Sequence, residues 1–288
     1  MKNNSVPSVF IWRDSTLLIA TSHRPTRSYT VASDQLIVCL KGEVTTTRSD
    51  GSQFSGKVFL IRAGTIINMA SLNHDNDAVM AILYMSPANQ IYSAVKEQML
   101  NQDDNVYYNL PNEDELITLL NRIHKENLSI KETYDLVHNL LIPEELREKV
   151  LKEFDSRVLK VIARINSTAK DNIPINKLAE EVHLSESRLV KLFKSQIGIP
   201  ITKYRLRYRI SVGSLYLATG HSVTESALMS GFASTAHFSK CYSAMMGIQP
   251  STAFMRSGLL NIKIAEEILA LLPNKTVLHS EALNGDNQ

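Results

Sequence analysis

A ten-residue pattern of this chain is nearly duplicated in its last third, and the repetition constrains the fold more than any other feature. Leu184-Ser185-Glu186-Ser187-Arg188-Leu189-Val190-Lys191-Leu192-Phe193 returns 49 residues later as Ala233-Ser234-Thr235-Ala236-His237-Phe238-Ser239-Lys240-Cys241-Tyr242. Each copy sets a serine, a large apolar residue four positions on, then a lysine, then an aromatic. The same offset carries Gly198-Ile199 onto Gly247-Ile248. Apolar residues at this spacing share one face of a 3.6-residue helix. Each copy is therefore predicted as the second helix of a two-helix unit. The first unit starts at Ile175 and ends near Gln196, the second runs from Val223 to about Met246, and Ala179 and Ala227 are the small residues where helices cross. Ser185 and Ser234 are suited to cap the helices they precede. Between the units, Ile201–Leu217 is predicted as a linking helix bearing Arg205, Arg207 and Arg209.

Charge points to the kind of partner. The 288 residues carry a formal net charge of only +2. Residues 157–256 alone carry +9, while the segments before and after carry −5 and −2. A basic block beside acidic ones is the footprint of nucleic-acid binding. Two helices on a strut of about 25 Å suit successive major-groove segments of double-stranded DNA. With 44% hydrophobic and 21% charged residues the composition is that of a globular chain. No apolar run reaches the length of a membrane span, and neither a signal peptide nor a membrane partner is expected. Two distant cysteines, Cys39 and Cys241, fit a reducing cytoplasm rather than a disulfide framework.

The N-terminal half reads differently. Short apolar runs at Leu17–Ala20, Leu36–Leu40, Val58–Ile61, Ile66–Ala70 and Val79–Tyr84 are separated by turn signals. They predict a small barrel or jelly-roll. From Glu113 the period becomes helical, with helices near Glu113–Ile123, Ile130–Leu141, Pro143–Glu153 and Ser156–Thr168. Their apolar stripes suit either a dimer face or packing on the strands. The fold class is α+β, divided into 1–110 (sensor), 111–155 (helical linker and dimerisation region) and 156–258 (DNA-binding domain). Beyond these, 259–288 holds an extra helix over Leu259–Leu272 and a disordered tail. Chemistry of other kinds is not indicated. No catalytic residue, cofactor or metal site is expected, since His23 and His74 are the only histidines among the strands.

The residues Leu178-Ala179, Leu184-Ser185, Leu189, Phe193-Lys194, Gly198, Tyr204, Arg209-Ile210, Leu217, Gly231-Phe232, Ser234, Phe238-Ser239, Tyr242, Gly247 and Pro250-Ser251 resemble the AraC/XylS family of bacterial transcription regulators. The likeness covers roughly Leu159–Arg256. Gly213 departs from it, standing where the family usually has alanine in the linker helix. His237 replaces a common aromatic, and Ala253-Phe254-Met255-Arg256 is a loose version of the usual ending. The resemblance implies that Ser187, Val190, Lys191, Thr235, Ala236, Ser239 and Lys240 meet base edges. By side-chain chemistry, Lys191 and Lys240 suit guanine, and Val190 and Ala236 suit thymine methyls. Ser187, Thr235 and Ser239 fit base or phosphate. Ser185, Arg188, Arg205, Arg209 and Ser234 are expected at phosphates.

Val58-Phe59-Leu60-Ile61-Arg62-Ala63-Gly64-Thr65 resembles the strand-turn-strand of cupin-type sensor domains. The whole layout is similar to the ToxT/Rns type of virulence regulator, which as a group can bind a fatty acid between the two domains. Arg13, Arg24, Arg27, Lys41 and Arg62 are the cations that could pair with such a carboxylate, or else lie in solvent. The expected function is a transcription activator with RNA polymerase, a homodimer partner and a small-molecule effector (a fatty acid among them) or a regulatory protein. The alternative reading is a cupin-like enzyme fused to a DNA-binding module.

Overall fold

The structure is a computed structural model, and the residues it describes are 6–21, 29–31, 33–48, 50–68, 78–86, 89–147, 154–246, 249–251 and 261–269. The N-terminal strands are β1 (Ser8–Ile11), β2 (Ser15–Thr21), β3 (Tyr29–Thr30), β4 (Asp34–Cys39), β5 (Val44–Arg48), β6 (Gln53–Gly56), β7 (Val58–Ile61), β8 (Ile66–Asn68) and β9 (Val79–Met85). Helix α1 (Gln90–Gln98) and the hairpin β10 (Asn101–Asp103) and β11 (Val106–Tyr108) follow. Then come α2 (Glu113–Lys125), α3 (Ile130–Leu141) and α4 (Glu144–Arg147). The C-terminal helices are α5 (Ser156–Ser167), α6 (Ile175–Glu180), α7 (Glu186–Ile197), α8 (Ile201–Ala218), α9 (Val223–Met229) and α10 (Thr235–Met246). Last are β12 (Asn261–Ile264) and α11 (Glu266–Leu269).

Eight strands form one sheet in the order β10-β11-β7-β4-β9-β2-β1-β12, and four form a second, β3-β8-β5-β6. Strands β4 and β7 are buried along their whole length. That is why they read as unbroken apolar runs: side chains alternate between two faces, and both faces are covered. Leu36, Val38, Leu60 and Leu83 face the main core with α2 and α3. Ile37, Cys39, Phe59, Ile61 and Met80 face a smaller cluster that includes Val31.

Two expectations change here, and one of two alternatives for the linker helices is observed. The larger sheet does not close into a barrel among the described residues, because short strands β10 and β12 extend its two edges instead of meeting. The apolar stripe of α2 (Leu116, Leu120, Ile123) and that of α3 (Val137, Leu141) lie in the main core, so packing on the strands is what they do. Trp12 ties α3 to the sheet, donating its Nε1–H to the Ile130 carbonyl at 3.0 Å. Within the helix expected over Leu259–Leu272, Asn261–Ile264 is a strand. Asn261-Ile262-Lys263-Ile264 pairs in parallel with β1, Ser8 opposite Asn261 and Ile11 opposite Ile264. Among the described residues of that stretch, only α11 is helical.

The physical reason is an available edge. Without β12, β1 would present unpaired N–H and C=O groups, and Asn-Ile-Lys-Ile carries β-branched residues in alternation, as a strand prefers. Lys263 Nζ donates to Asn127 Oδ1 at 2.7 Å and to the Leu128 carbonyl, and Ala265 and Ile268 enter the main core. The chain thus returns to the N-terminal sheet after the last helices. Residues 148–153, 252–260 and 270–288, and with them part of the helix expected over Pro143–Glu153 and the tail, lie outside the described residues.

Candidate nucleic-acid interface

The first helix pair has its own core. Val158, Val161 and Ile165 of α5, Leu178 and Ala179 of α6, and Leu189, Phe193 and Ile197 of α7 pack together with Tyr204 of α8. Asp155 caps α5, accepting from the Arg157 amide at 2.9 Å. The Arg157 guanidinium also hydrogen-bonds the Asp155 carboxyl and holds its pKa at about 2. His183 turns the chain with φ of 54° between α6 and α7. Ser185 caps α7 by accepting from the Arg188 amide at 3.3 Å, and Gly198 ends it with φ of 87°. A left-handed residue at that position is the common way to end a helix, and glycine takes it without strain.

The second pair repeats the plan on a separate core of Ile210, Leu217, Ala227, Phe232, Phe238 and Tyr242. Ser222 and Glu225 form a reciprocal cap at the start of α9. Gly231 makes the turn with φ of 85°, and Ser234 Oγ accepts from the His237 amide at 3.2 Å. The ring of Phe238 lies 5.1 Å from Phe232 and 5.6 Å from Tyr242, centre to centre.

The sequence-derived positions fall on the outer faces of α7 and α10. Ser187, Arg188, Lys191, Ala236 and Lys240 are exposed, and Val190, Thr235 and Ser239 are half-buried. Ser185 and Ser234 are exposed at the helix starts. Among the described residues, Lys191 and Lys240 make no ion pair, whereas Arg164 and Lys177 are paired with Glu181 and Glu180. The two outer helices therefore carry exposed lysines free of ion pairs among the described residues at equivalent repeat positions.

Arg205 and Arg209 are not where the phosphate expectation needs them. Arg205 is 9% exposed and donates NH1 to Asn172 Oδ1 at 2.9 Å and NH2 to the Ile173 carbonyl at 2.6 Å. Arg209 donates Nε to the Ala169 carbonyl at 2.7 Å and NH2 to the Asp171 carbonyl at 3.2 Å. Both forks are occupied by the loop at 169–173, and burial pushes both guanidinium pKa values down. A guanidinium so placed has little left to offer a phosphate.

Arg207 is the residue that the sequence reading passed over. It leaves α8 on the opposite side from Arg205 and Arg209, as a two-residue step on a helix requires. Its NH2 donates to the Met85 carbonyl at 2.8 Å, and its NH1 is buried without a hydrogen-bond partner among the described residues. Met85 is opposite Asp34 in the sheet, and the Asp34 carboxylate partly offsets the downward push of burial on Arg207. Leu215 of α8 joins the main core, and Ala63 packs against the first helix pair, so sheet and helices meet closely. Of the other cations considered for a carboxylate, Arg62 lies beside Gly198 and Arg13 and Lys41 are exposed. Arg24, Arg27, His23 and His74 lie outside the described residues. Among the described residues no group of three His, Cys, Asp or Glu side chains could hold a metal ion. No helix among them is long and apolar enough to cross a membrane.

A family model described as a helix-turn-helix domain matches residues 178–256. The transcriptional regulator GbdR of Pseudomonas aeruginosa is 28% identical over 174 residues, 57% of this chain and 47% of that protein. The arabinose operon regulatory protein of Escherichia coli is 31% identical over 121 residues, 41% of each. The chain spans about half the length of the curated relatives it matches. A crystal structure of apo ToxT from Vibrio cholerae superposes with a TM-score of 0.60 at 14% identity, covering 85% of this chain and 98% of that one. Another, of wild-type ToxT with an unsaturated fatty acid bound, gives 0.57 at 15% identity, covering 88% and 97%. The sheet-plus-helices fold is that of ToxT, residues 178–256 match a helix-turn-helix domain, and over part of its length the chain is similar to bacterial transcription regulators.

Proposed function

We propose that this chain is a sequence-specific DNA-binding transcription regulator, an activator, in which α7 and α10 enter successive major-groove segments on one face of a duplex. One observation carries the reading. Two capped helices, each anchored by its own core, present Lys191 and Lys240 at equivalent repeat positions with no ion pair among the described residues. The 18-residue α8 between them is about 27 Å long at 1.5 Å per residue, close to the groove repeat of about 34 Å. Base contacts are assigned to Ser187, Val190, Lys191, Thr235, Ala236, Ser239 and Lys240. Phosphate contacts are assigned to Arg188 and to the helix starts at Ser185 and Ser234, where backbone N–H groups favour anions.

The same reading divides the chain into a two-sheet, cupin-like sensor (1–110), a helical linker (111–155), a DNA-binding domain (156–258) and a C-terminal extension (259–288). Its helix-turn-helix units span about 175–196 and 223–246. A small acidic effector, a fatty acid among the candidates, would shift the population of DNA-competent arrangements by binding one arrangement better. ToxT has been crystallised with an unsaturated fatty acid and with a naphthalenyl-butenoic acid, both carboxylic acids. Here the buried NH1 of Arg207, at the junction of sheet and helices, supports an anionic group at that place. RNA polymerase and a second copy of the chain complete the proposed partners. The second copy would meet a surface other than the apolar stripes of α2 and α3, which the sheet covers.

Selection of duplex DNA from a random pool by the full-length chain tests the proposal. An enriched sequence is expected, with affinity falling steeply as salt rises. About four neutralised phosphates would give a slope of about −4 in log K against log salt. Absence of any enriched duplex at low ionic strength would remove the proposal.

A further inference from the structure

Two helices can read one duplex only if the distance and angle between them are held. The two helix pairs here share no apolar cluster: each has its own core. Among the described residues they are connected by α8 and by a set of polar contacts. Arg205 and Arg209, one turn apart on the same side of α8, both grip the loop at 169–173 that leads into the first pair. The turn of the second pair sits on that same loop. A methyl group added at Gly231 would lie 2.8 Å from the Ala169 oxygen, 2.8 Å from Lys170 Cα and 3.3 Å from Arg209 Nε. Lead-in loop, linker helix and second turn therefore meet at one point, and Arg209 touches all of it.

We propose that Arg209, with Arg205 and Gly231, is a joint that sets the register between the two reading helices and so fixes which spacing of the two DNA elements is recognised. These are positioning residues. They act on DNA through the placement of α7 and α10, and the inference rests on the DNA-reading proposal above. A guanidinium fork suits the role because it delivers two directed hydrogen bonds from a planar group to two backbone carbonyls of one loop, which a lysine cannot do. Linked modules gain affinity through effective concentration only while their geometry lets both engage at once. Loosening the joint lowers the affinity for the ideal spacing and makes the protein more tolerant of the wrong one.

The experiment uses the full chain and the duplex that the wild type selects. Affinity is measured for that duplex and for derivatives with one or two base pairs inserted or removed between the two protected segments. Wild type is expected to lose about tenfold for each base pair of change, since the second helix can no longer engage. Arg209→Ala is expected to bind the selected duplex roughly tenfold more weakly and to lose only about threefold on insertion. A merely destabilised domain would bind every derivative more weakly in equal proportion, leaving the profile's shape intact. If Arg209→Ala does not fold, Arg209→Lys and the exposed-site change Asn172→Ala carry the test, each with an intermediate profile. Profiles that superimpose on the wild type after scaling overturn the joint. Failure of the wild type to select any duplex overturns the DNA reading itself, and the two failures are distinct.

Discussion

Gly213→Ala is expected to destabilise the second helix pair by about 1–2 kcal/mol, although alanine is the better helix former by about 1 kcal/mol. A methyl group at Gly213 would lie 2.5 Å from Phe238 Cε2, 2.9 Å from its Cζ and 3.1 Å from Ser230 Oγ. None of these can yield cheaply. Phe238 is fully buried among Phe232 and Tyr242. Ser230 is fully buried too, its hydroxyl within 2.6 Å of the Ser226 carbonyl. The glycine that looks like a weak point in the linker helix is the space that a large aromatic occupies. Removing that aromatic should cost more: Phe238→Ala is expected to lower stability by about 3–5 kcal/mol. The two positions are in contact and should couple. In a Phe238→Leu background, Gly213→Ala should be markedly less destabilising, because the clash with the ring is relieved while the contact with Ser230 Oγ remains. Denaturant unfolding of the four chains reads this directly. A stabilising Gly213→Ala in the wild-type background would show that the packing is looser than described.

The second large effect concerns DNA. Lys191→Ala and Lys240→Ala should each weaken specific binding by about 1–3 kcal/mol, with nearly additive loss because they lie on separate helices with separate cores. The double change is then expected to cost about thirtyfold or more in affinity. Thermal stability should hardly change, since both side chains are exposed and make no ion pair among the described residues. Lys177→Ala is the control. Lys177 is already paired with Glu180 at 2.8 Å and lies on α6, behind the proposed reading face. Equal losses from Lys177→Ala and Lys191→Ala would mean that only diffuse positive charge matters.

The two outer helices were legible because their signals are local: serine caps, apolar residues four apart, and a glycine at the second unit's turn. The roles of the α8 arginines were not. Residue type and spacing place Arg205 and Arg209 on one side of a helix, but phosphates and loop carbonyls recruit the same side chain. Only the course of the loop at 169–173 decides between them. Gly213 could be seen as a departure from the family, yet its reason lies in a ring 25 residues away. The strand at Asn261–Ile264 was read as helix because a short apolar run does not distinguish the two, and its partner β1 is at the other end of the chain. Sheet closure failed for the same reason. Strand order depends on distant pairings that no window of sequence contains.

Methylation and hydroxyl-radical footprinting of the selected duplex, bound by the full chain, tests the central claim most directly. The expected result is two protected major-groove patches on one face, about 10–10.5 base pairs apart. Lys191→Ala should weaken one patch and Lys240→Ala the other. A single patch, or one patch that both changes weaken alike, would contradict the claim that α7 and α10 read DNA as a pair.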